Sequence, residues 1–264
     1  MARPPRVLVF DSGLGGLTVF QEIAKIRPDA DYVYAADDAF FPYGAHGEAA
    51  LSARVVPVIG DLIAQHQPDL VVIACNTAST LVLAKLRAAF TVPFIGTVPA
   101  IKPACAMSKS KRVSVLGTKA TVTREYTKKL IADFGHGCDI KLVGSAQLAA
   151  IAETVLRGQS IDDGVIAAEI APCFVNGDGR STDTVVLACT HYPLLLERFK
   201  NLAPWPVNWI DPAPAIARRV IELIGPSTAI AAKLEARAVF TTGLAPEPAL
   251  ANALFSRGFT VNLH

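Results

Sequence analysis

At 264 residues, with 52% hydrophobic and 18% charged side chains, the chain has the composition of a folded protein with a sizeable core, not of a disordered one. A net charge of +2 without a long Lys/Arg block argues against a nucleic-acid partner, and no apolar run reaches membrane-spanning length. Five cysteines, an odd number with no CxxC pair, suggest neither a disulfide framework nor a zinc site; with no apolar leader before the first strand, they fit a reducing cytoplasm.

In chain order, residues 6–10 read as a strand ending in a small-residue turn, DSGLGG at 11–16, before a helix over 17–26. A strand at 32–36 precedes a loop over 37–47 carrying FPYG at 41–44. The spacing of Leu51, Val55, Ile59 and Leu62 predicts a helix over 48–65, bent or started late at Pro57. VVIACNT at 71–77 follows, then a helix to about 90, a short strand at 93–96 and a helix opening at 98–100. A strand at 113–117 leads through Thr118 and Thr121 into a helix ending near 134, then a strand at 140–143. Helices over 146–157 and 161–174 come next, the second with Ser160 as its expected cap. An NGDG turn at 176–179 precedes VVLACTH at 185–191. Strands at 207–210 and 238–242 alternate with helices at 213–224 and 246–255.

This β-α alternation predicts an α/β fold with parallel sheets. Two segments nearly repeat one another. VVIACNT and VVLACTH are both β-branched runs that end in a cysteine and a hydroxyl-bearing turn, 114 residues apart (189 − 75). Such strands suit a sheet covered on both faces, and open α/β sheets bind ligands at the strands' C-terminal ends. Two pseudo-symmetric halves facing one another would bring Cys75 and Cys189 to one cleft.

A pair of thiols there has several uses. A metal would need more ligands than the one nearby imidazole, His191, supplies. A Cys-His hydrolase would leave the second cysteine without a role. Two thiols flanking a small ligand suit another chemistry, in which one thiolate removes a carbon-bound proton and the opposed thiol supplies one. Helix N-termini after each strand would favour negative charge, and Ser12, Thr77 and Thr190 would hold carboxylates. Asp11 and His191 stand beside the motifs as acid/base neighbours.

The motifs DSGLGG (11–16), PYG (42–44), ACNTAS (74–79), GTKATV (117–122) and ACTHYP (188–193) together resemble those of the aspartate/glutamate racemase family, on its glutamate side. The resemblance covers most of the chain to about 212, with FTTG at 240–243 also similar. Thr-His after the second cysteine resembles the glutamate branch; aspartate racemases typically carry Thr-Glu there. The family implies cofactor-independent interconversion of L- and D-glutamate, supplying peptidoglycan, by a cytoplasmic enzyme that is usually a homodimer.

Carried over motif by motif, the resemblance makes Cys75 and Cys189 the acid/base thiols, with Asp11 and His191 assisting. It makes Asp11, Ser12, Pro42, Tyr43, Gly44, Asn76, Thr77, Thr118, Thr121, Thr190 and His191 the substrate-binding set. It implies two α/β domains with the site in the cleft between them: residues 1–97 with 208–264, carrying Asp11 and Cys75, and 98–207, carrying Cys189 and His191. The chain departs from the family at 145–153, where SAQLAAIAE replaces CPxLVPxxE, leaving Glu153 as a supporting residue in an altered motif. The residues after PYG, AHGE at 45–48, are also atypical, so His46 is not carried over. The alternatives are a relative acting on aspartate or a hydantoin, and a non-catalytic binding protein using the same cleft.

Overall fold

Strands buried on both faces must be sandwiched between helices, and the chain builds two such layers. The structure, a computed structural model, describes residues 3–227 and 234–260. The elements run β1 (Arg6–Asp11), α1 (Leu17–Ile26), β2 (Asp31–Ala36), α2 (Glu48–His66), β3 (Leu70–Ile73), α3 (Asn76–Ala89) and β4 (Phe94–Gly96). They continue with α4 (Ile101–Met107), β5 (Arg112–Thr118), α5 (Lys119–Thr123), α6 (Glu125–Phe134), β6 (Asp139–Ser145), α7 (Leu148–Leu156) and α8 (Asp163–Ile170). A small hairpin of β7 (Asn176–Gly177) and β8 (Arg180–Ser181) precedes β9 (Thr184–Ala188), α9 (Leu196–Leu202) and β10 (Asn208–Ile210). Then come α10 (Ala213–Ile224), β11 (Glu235–Phe240), α11 (Pro248–Phe255) and β12 (Phe259–Thr260).

One sheet has six strands in the order β12-β11-β2-β1-β3-β4 and the other four, β10-β9-β5-β6. Every pairing in both is parallel. All of β3 and all of β9 are buried, as their β-branched runs require. Apolar clusters lie on both faces of the first sheet, one including Val7, Val72 and Val220, the other Leu8, Val71 and Leu86. The second sheet is covered in the same way, by Leu187 with Phe199 on one face and Val186 with Ile101 on the other.

Several local expectations need correction. The strand Asn208–Ile210, placed by sequence at the start of the returning segment, pairs with β9 in the four-stranded sheet; only α10 and the elements after it join the first sheet and its core. Residues 228–233 and 261–264 of that segment lie outside the described residues, as do residues 1–2 of the N-terminus. The single helix expected to 134 is two, because Arg124 takes an extended backbone and its guanidinium pairs with Glu48. Helix α2 runs unbroken through Pro57. Asp162, not Ser160, caps α8, its carboxylate accepting the Gly164 amide at 2.6 Å. The NGDG turn becomes a two-residue hairpin connection in which Asp178 and Gly179 both have left-handed φ, the geometry of a type I′ turn. Strand β12 was not foreseen; its Phe259 packs against Phe20 and Tyr34.

The turn after β1 is where the two layers meet. None of Gly13, Gly15 and Gly16 has a left-handed φ, so the turn does not need glycine for its backbone angles. It needs glycine for space. A Cβ on Gly13 would overlap the Glu153 carboxylate, one on Gly15 would overlap the His191 ring, and one on Gly16 would stand 2.7 Å from Asp11 Cβ. Gly13→Ala and Gly15→Ala should therefore each destabilise by about 1–3 kcal/mol. The accompanying fall in Tm, measured by calorimetry, should be roughly 2–4 °C per kcal/mol.

Candidate active site

Both cysteines leave their strands at the C-terminal edge and line one cavity of about 190 Å³. This is smaller than the roughly 300–1,000 Å³ of pockets for drug-sized ligands, and suits a small metabolite. The walls come from both layers. Ser12, Pro42, Tyr43, Gly44, Cys75, Asn76 and Thr77 belong to the first, and Thr118, Cys189, Thr190 and His191 to the second. Of the residues read from the sequence, Asp11, Thr121 and Glu153 stand behind this wall, each hydrogen-bonded to a residue that lines it, Thr190, Thr77 and His191 respectively.

The two sulfurs have different surroundings. Cys75 is the residue immediately before α3, and its side chain meets the backbone N–H of Ala78 in the first turn. Its thiol lies 3.6 Å from Ser12 Oγ. Burial pushes the Cys75 thiol up to about 12; Asp11 adds to the effect and the Ala78 amide works against it. After Cys189 the chain passes through one tight turn, Tyr192–Leu195, with Pro193 near its start, and runs straight into α9 at Leu196, so the α-helix starts later than it does after Cys75. Beside the sulfur stands His191, whose Nδ1 lies 3.8 Å from Cys189 Sγ.

His191 is fully enclosed and its ring is held from both ends. Nε2 lies 3.1 Å from Glu153 Oε1 and 3.2 Å from the Gly15 amide nitrogen. One ring nitrogen cannot both donate and accept, and a carboxylate oxygen cannot face a lone pair, so Nε2 carries a proton toward Glu153. The Gly15 N–H then only lies beside it. Burial by itself would strip the ring of charge, but hydrogen bonds to Cys189 and Glu153 and the nearness of Asp11 hold its pKa well above the ordinary value. Burial likewise raises Glu153, yet His191, the Leu14 amide at 2.7 Å and Arg157 bring it below its ordinary value. The result is a buried imidazolium–carboxylate pair. Asp11 is raised, chiefly by burial, while His191, Thr190 and the Gly13 amide pull the other way. Its Oδ1 accepts the Thr190 hydroxyl at 3.0 Å.

Neither Asn76 nor Thr77 caps α3. Cys75 occupies the cap position of α3, leaving Asn76 and Thr77 inside the first turn, with their side chains free for the cavity. Thr77 joins Thr118 and Thr121 in a triangle of hydroxyls with sides of 3.1, 3.1 and 3.0 Å, which spans the two layers. Both the carbonyl and the amino group of Asn76 are buried with no hydrogen-bond partner among the described residues. Unsatisfied buried polar groups cost about 1–3 kcal/mol each, so this side chain points to a ligand. Tyr43 is fixed from behind, its hydroxyl donating to Asp37 Oδ2 at 2.6 Å. Asp37 also accepts from Arg54 and from Thr241 of the FTTG segment.

Sequence reasoning missed Phe41, Ala45, Lys119, Ser145, Ala146 and Ala149, all on the cavity wall. Ser145 ends β6, so the strand-end argument applied to the two cysteine strands would have found it if extended to β6. Lys119 follows Thr118 directly and carried no signal beyond that adjacency. Asp37, at the end of β2, is a supporting residue that the same edge rule would have flagged. Among the described residues no cluster of His, Cys, Asp and Glu is arranged to hold a metal.

The family model for Asp/Glu/hydantoin racemases matches residues 16–220. A glutamate racemase of Sinorhizobium fredii is 51% identical over 255 residues, covering 96% of this chain and 94% of its own. One from Brucella anthropi is 56% identical over 224 residues, covering 84% and 81%. Among solved structures, Escherichia coli glutamate racemase, crystallised with L-glutamate and the activator UDP-MurNAc-Ala, superposes with a TM-score of 0.85 at 39% identity, covering 97% of this chain and 96% of that one. The chain belongs to the Asp/Glu/hydantoin racemase family, its relatives there are glutamate racemases, and it is accordingly a racemase, an isomerase.

Proposed function

We propose that the chain interconverts L- and D-glutamate without a cofactor, with Cys75 and Cys189 as opposed acid/base groups. The observation that carries this reading is the meeting of two sulfurs, 114 residues apart, at one cavity walled by both layers (189 − 75). In one direction a cysteine thiolate takes the α-proton, leaving a carbanion-like species, and the other thiol gives its proton to the opposite face. The enzyme is left with its protons exchanged between the sulfurs and must reset before the next turnover in the same direction. By the family pattern Cys75 takes the proton from D-glutamate and Cys189 from L-glutamate.

The surrounding groups have distinct tasks. Asn76, Thr77 and Thr118, with the backbone of residues 42–44, hold the substrate's carboxylates, while Thr121 braces the threonine triangle. Thr190 links the substrate to Asp11. His191, held by Glu153, passes protons to and from Cys189 through Nδ1. The same reading divides the chain into two lobes, residues 1–97 with 211–264 and residues 98–210, the boundary following the pairing of β10. It also makes the protein a cytoplasmic homodimer whose D-glutamate serves peptidoglycan and so cell-wall biogenesis and cell shape. That cellular role is supported by the motif resemblance rather than by the geometry. A relative acting on aspartate is disfavoured by His191, since aspartate racemases typically carry Glu there.

Incubation with L-glutamate in heavy water, without added pyridoxal phosphate or metal, should put α-deuterium into the product D-glutamate. An absence of α-deuterium in both enantiomers overturns the enzyme reading, and a preference for aspartate in a substrate panel followed by polarimetry overturns the substrate. Cys75→Ser and Cys189→Ser should each lower kcat/KM by roughly 10²–10⁴, since a hydroxyl replaces one acid/base group. The loss should be equal in both directions, because enantiomers have an equilibrium constant of one. Full activity in either variant would contradict the assignment.

The ion pair gives a separate prediction. His191, with its pKa raised in the folded protein, adds stability that is complete below the ordinary value of 6.5 and is lost as pH rises through the folded value. Glu153, with its pKa depressed, adds stability that is complete above its ordinary 4.5 and is lost as pH falls through the folded value. Both contributions are therefore full between 4.5 and 6.5. Glu153→Gln should lower the His191 pKa, read by NMR titration of the imidazole, and should lower Tm most in that window. An unmoved imidazole titration would remove Glu153 from its supporting role.

A further inference from the structure

The cavity is rich in hydroxyls and amides but poor in positive charge. Of the residues lining it, Lys119 alone is a lysine or arginine. The buried charges nearly cancel, Glu153 behind the wall against His191 on it, and Asp11 is raised toward its neutral form. A dicarboxylic amino acid brings two negative groups and one positive, so the site must receive a net negative charge. Lys119 is exposed, and its ammonium has no ion pair or hydrogen bond among the described residues. It starts α5 beside Thr118, one corner of the hydroxyl triangle. The base of its side chain lies over β6 where Gly144 leaves room: a Cβ there would stand 3.1 Å from Lys119 Cα and 3.4 Å from Cγ.

Resting on the glutamate reading above, we propose that Lys119 is a substrate-binding residue that draws a carboxylate of the acidic amino acid into the cavity and favours acidic substrates over neutral ones. An exposed ammonium can do this cheaply, because it is hydrated until the substrate arrives, whereas a buried one would carry the desolvation cost permanently. Its placement at the mouth also suits attraction of an anion from solution, an effect that salt screens over about 8 Å at physiological ionic strength.

The test compares the wild type with Lys119→Met, which keeps most of the apolar stem and removes the charge, and Lys119→Arg, which keeps the charge. KM and kcat are measured for L- and D-glutamate from low to high sodium chloride. Lys119→Met should raise KM by about two- to five-fold, with the loss falling on KM rather than kcat. Its kcat/KM should lose the decline with salt seen in the wild type, and Lys119→Arg should restore both. A wild-type KM and salt slope in Lys119→Met, or an Arg variant that behaves like Met, overturns the role of Lys119 while leaving the racemase reading intact. A wild-type protein that neither binds glutamate by calorimetry nor isomerises it overturns both.

Discussion

The site depends on a buried ion pair in the second layer that backbone from the first layer completes. Glu153 and His191 both belong to the second layer, but the carboxylate also accepts the Leu14 amide from the first, and the imidazole lies against Gly15. Burying two charges is costly unless their hydrogen-bonding capacity is filled, and here backbone from the opposite layer helps to fill it. The pair is complete only when the glycine turn is seated. That explains why the turn lacks side chains where it does, and why Asp11, which opens it, can reach Thr190 across the same seam. Closing the seam and assembling the catalytic wall are therefore the same event.

The two thiols occupy equivalent places in similar motifs, yet the chain has solved their surroundings differently. Cys75 has a helix terminus and a pKa raised by burial to about 12, a setting that favours the protonated thiol. Cys189 is followed by a tight turn before α9 begins, and His191 Nδ1 stands 3.8 Å from its sulfur. A reaction between mirror-image substrates is symmetric in its thermodynamics but not in its protein, because every residue here is of one hand. Unequal proton partners are compatible with equal kcat/KM in the two directions, because an equilibrium constant of one imposes that equality whatever the individual barriers. The asymmetry lies in the neighbours each sulfur has, the Ser12 hydroxyl and the start of α3 for Cys75 and the His191 imidazole for Cys189.

Much of this was legible because burial leaves a plain mark on sequence. Continuous β-branched runs at 71–73 and 185–187 could only be doubly covered strands, and the residues after them had to lie at a sheet edge. The failures have local physical causes. A tight turn at Tyr192–Leu195 delays the α-helix after Cys189 to Leu196, whereas α3 starts directly after Cys75. Asp162 displaced Ser160 as a cap because it stands immediately before the first helical residue. Glu153 was harder to read because the motif around it is altered to alanines. Its carboxylate nevertheless keeps its place, since the imidazole and the Leu14 amide both need that oxygen, whereas Ala146 and Ala149 merely line the wall. Lys119 and Phe41 left no periodic signature because a cavity wall is assembled from strand ends, and strand ends have no period.

Asn76 separates packing from function more sharply than any thiol does. A buried cysteine at a strand end is ordinary filling and needs no ligand. A buried amide with neither atom bonded is not ordinary, and its cost of about 1–3 kcal/mol per group is an argument that something polar visits the cavity. Asn76 alone cannot separate an enzyme from a binding protein, since both would use it to grip a carboxylate. The sulfurs do that. A protein that only bound an acidic amino acid would gain nothing from facing its ligand with two thiols, one raised to about 12 by burial and the other beside a charged imidazole, because neither is a good hydrogen-bond partner for a carboxylate. Thiols are suited to moving protons, and that is why the pair supports the proposed racemase chemistry over simple binding.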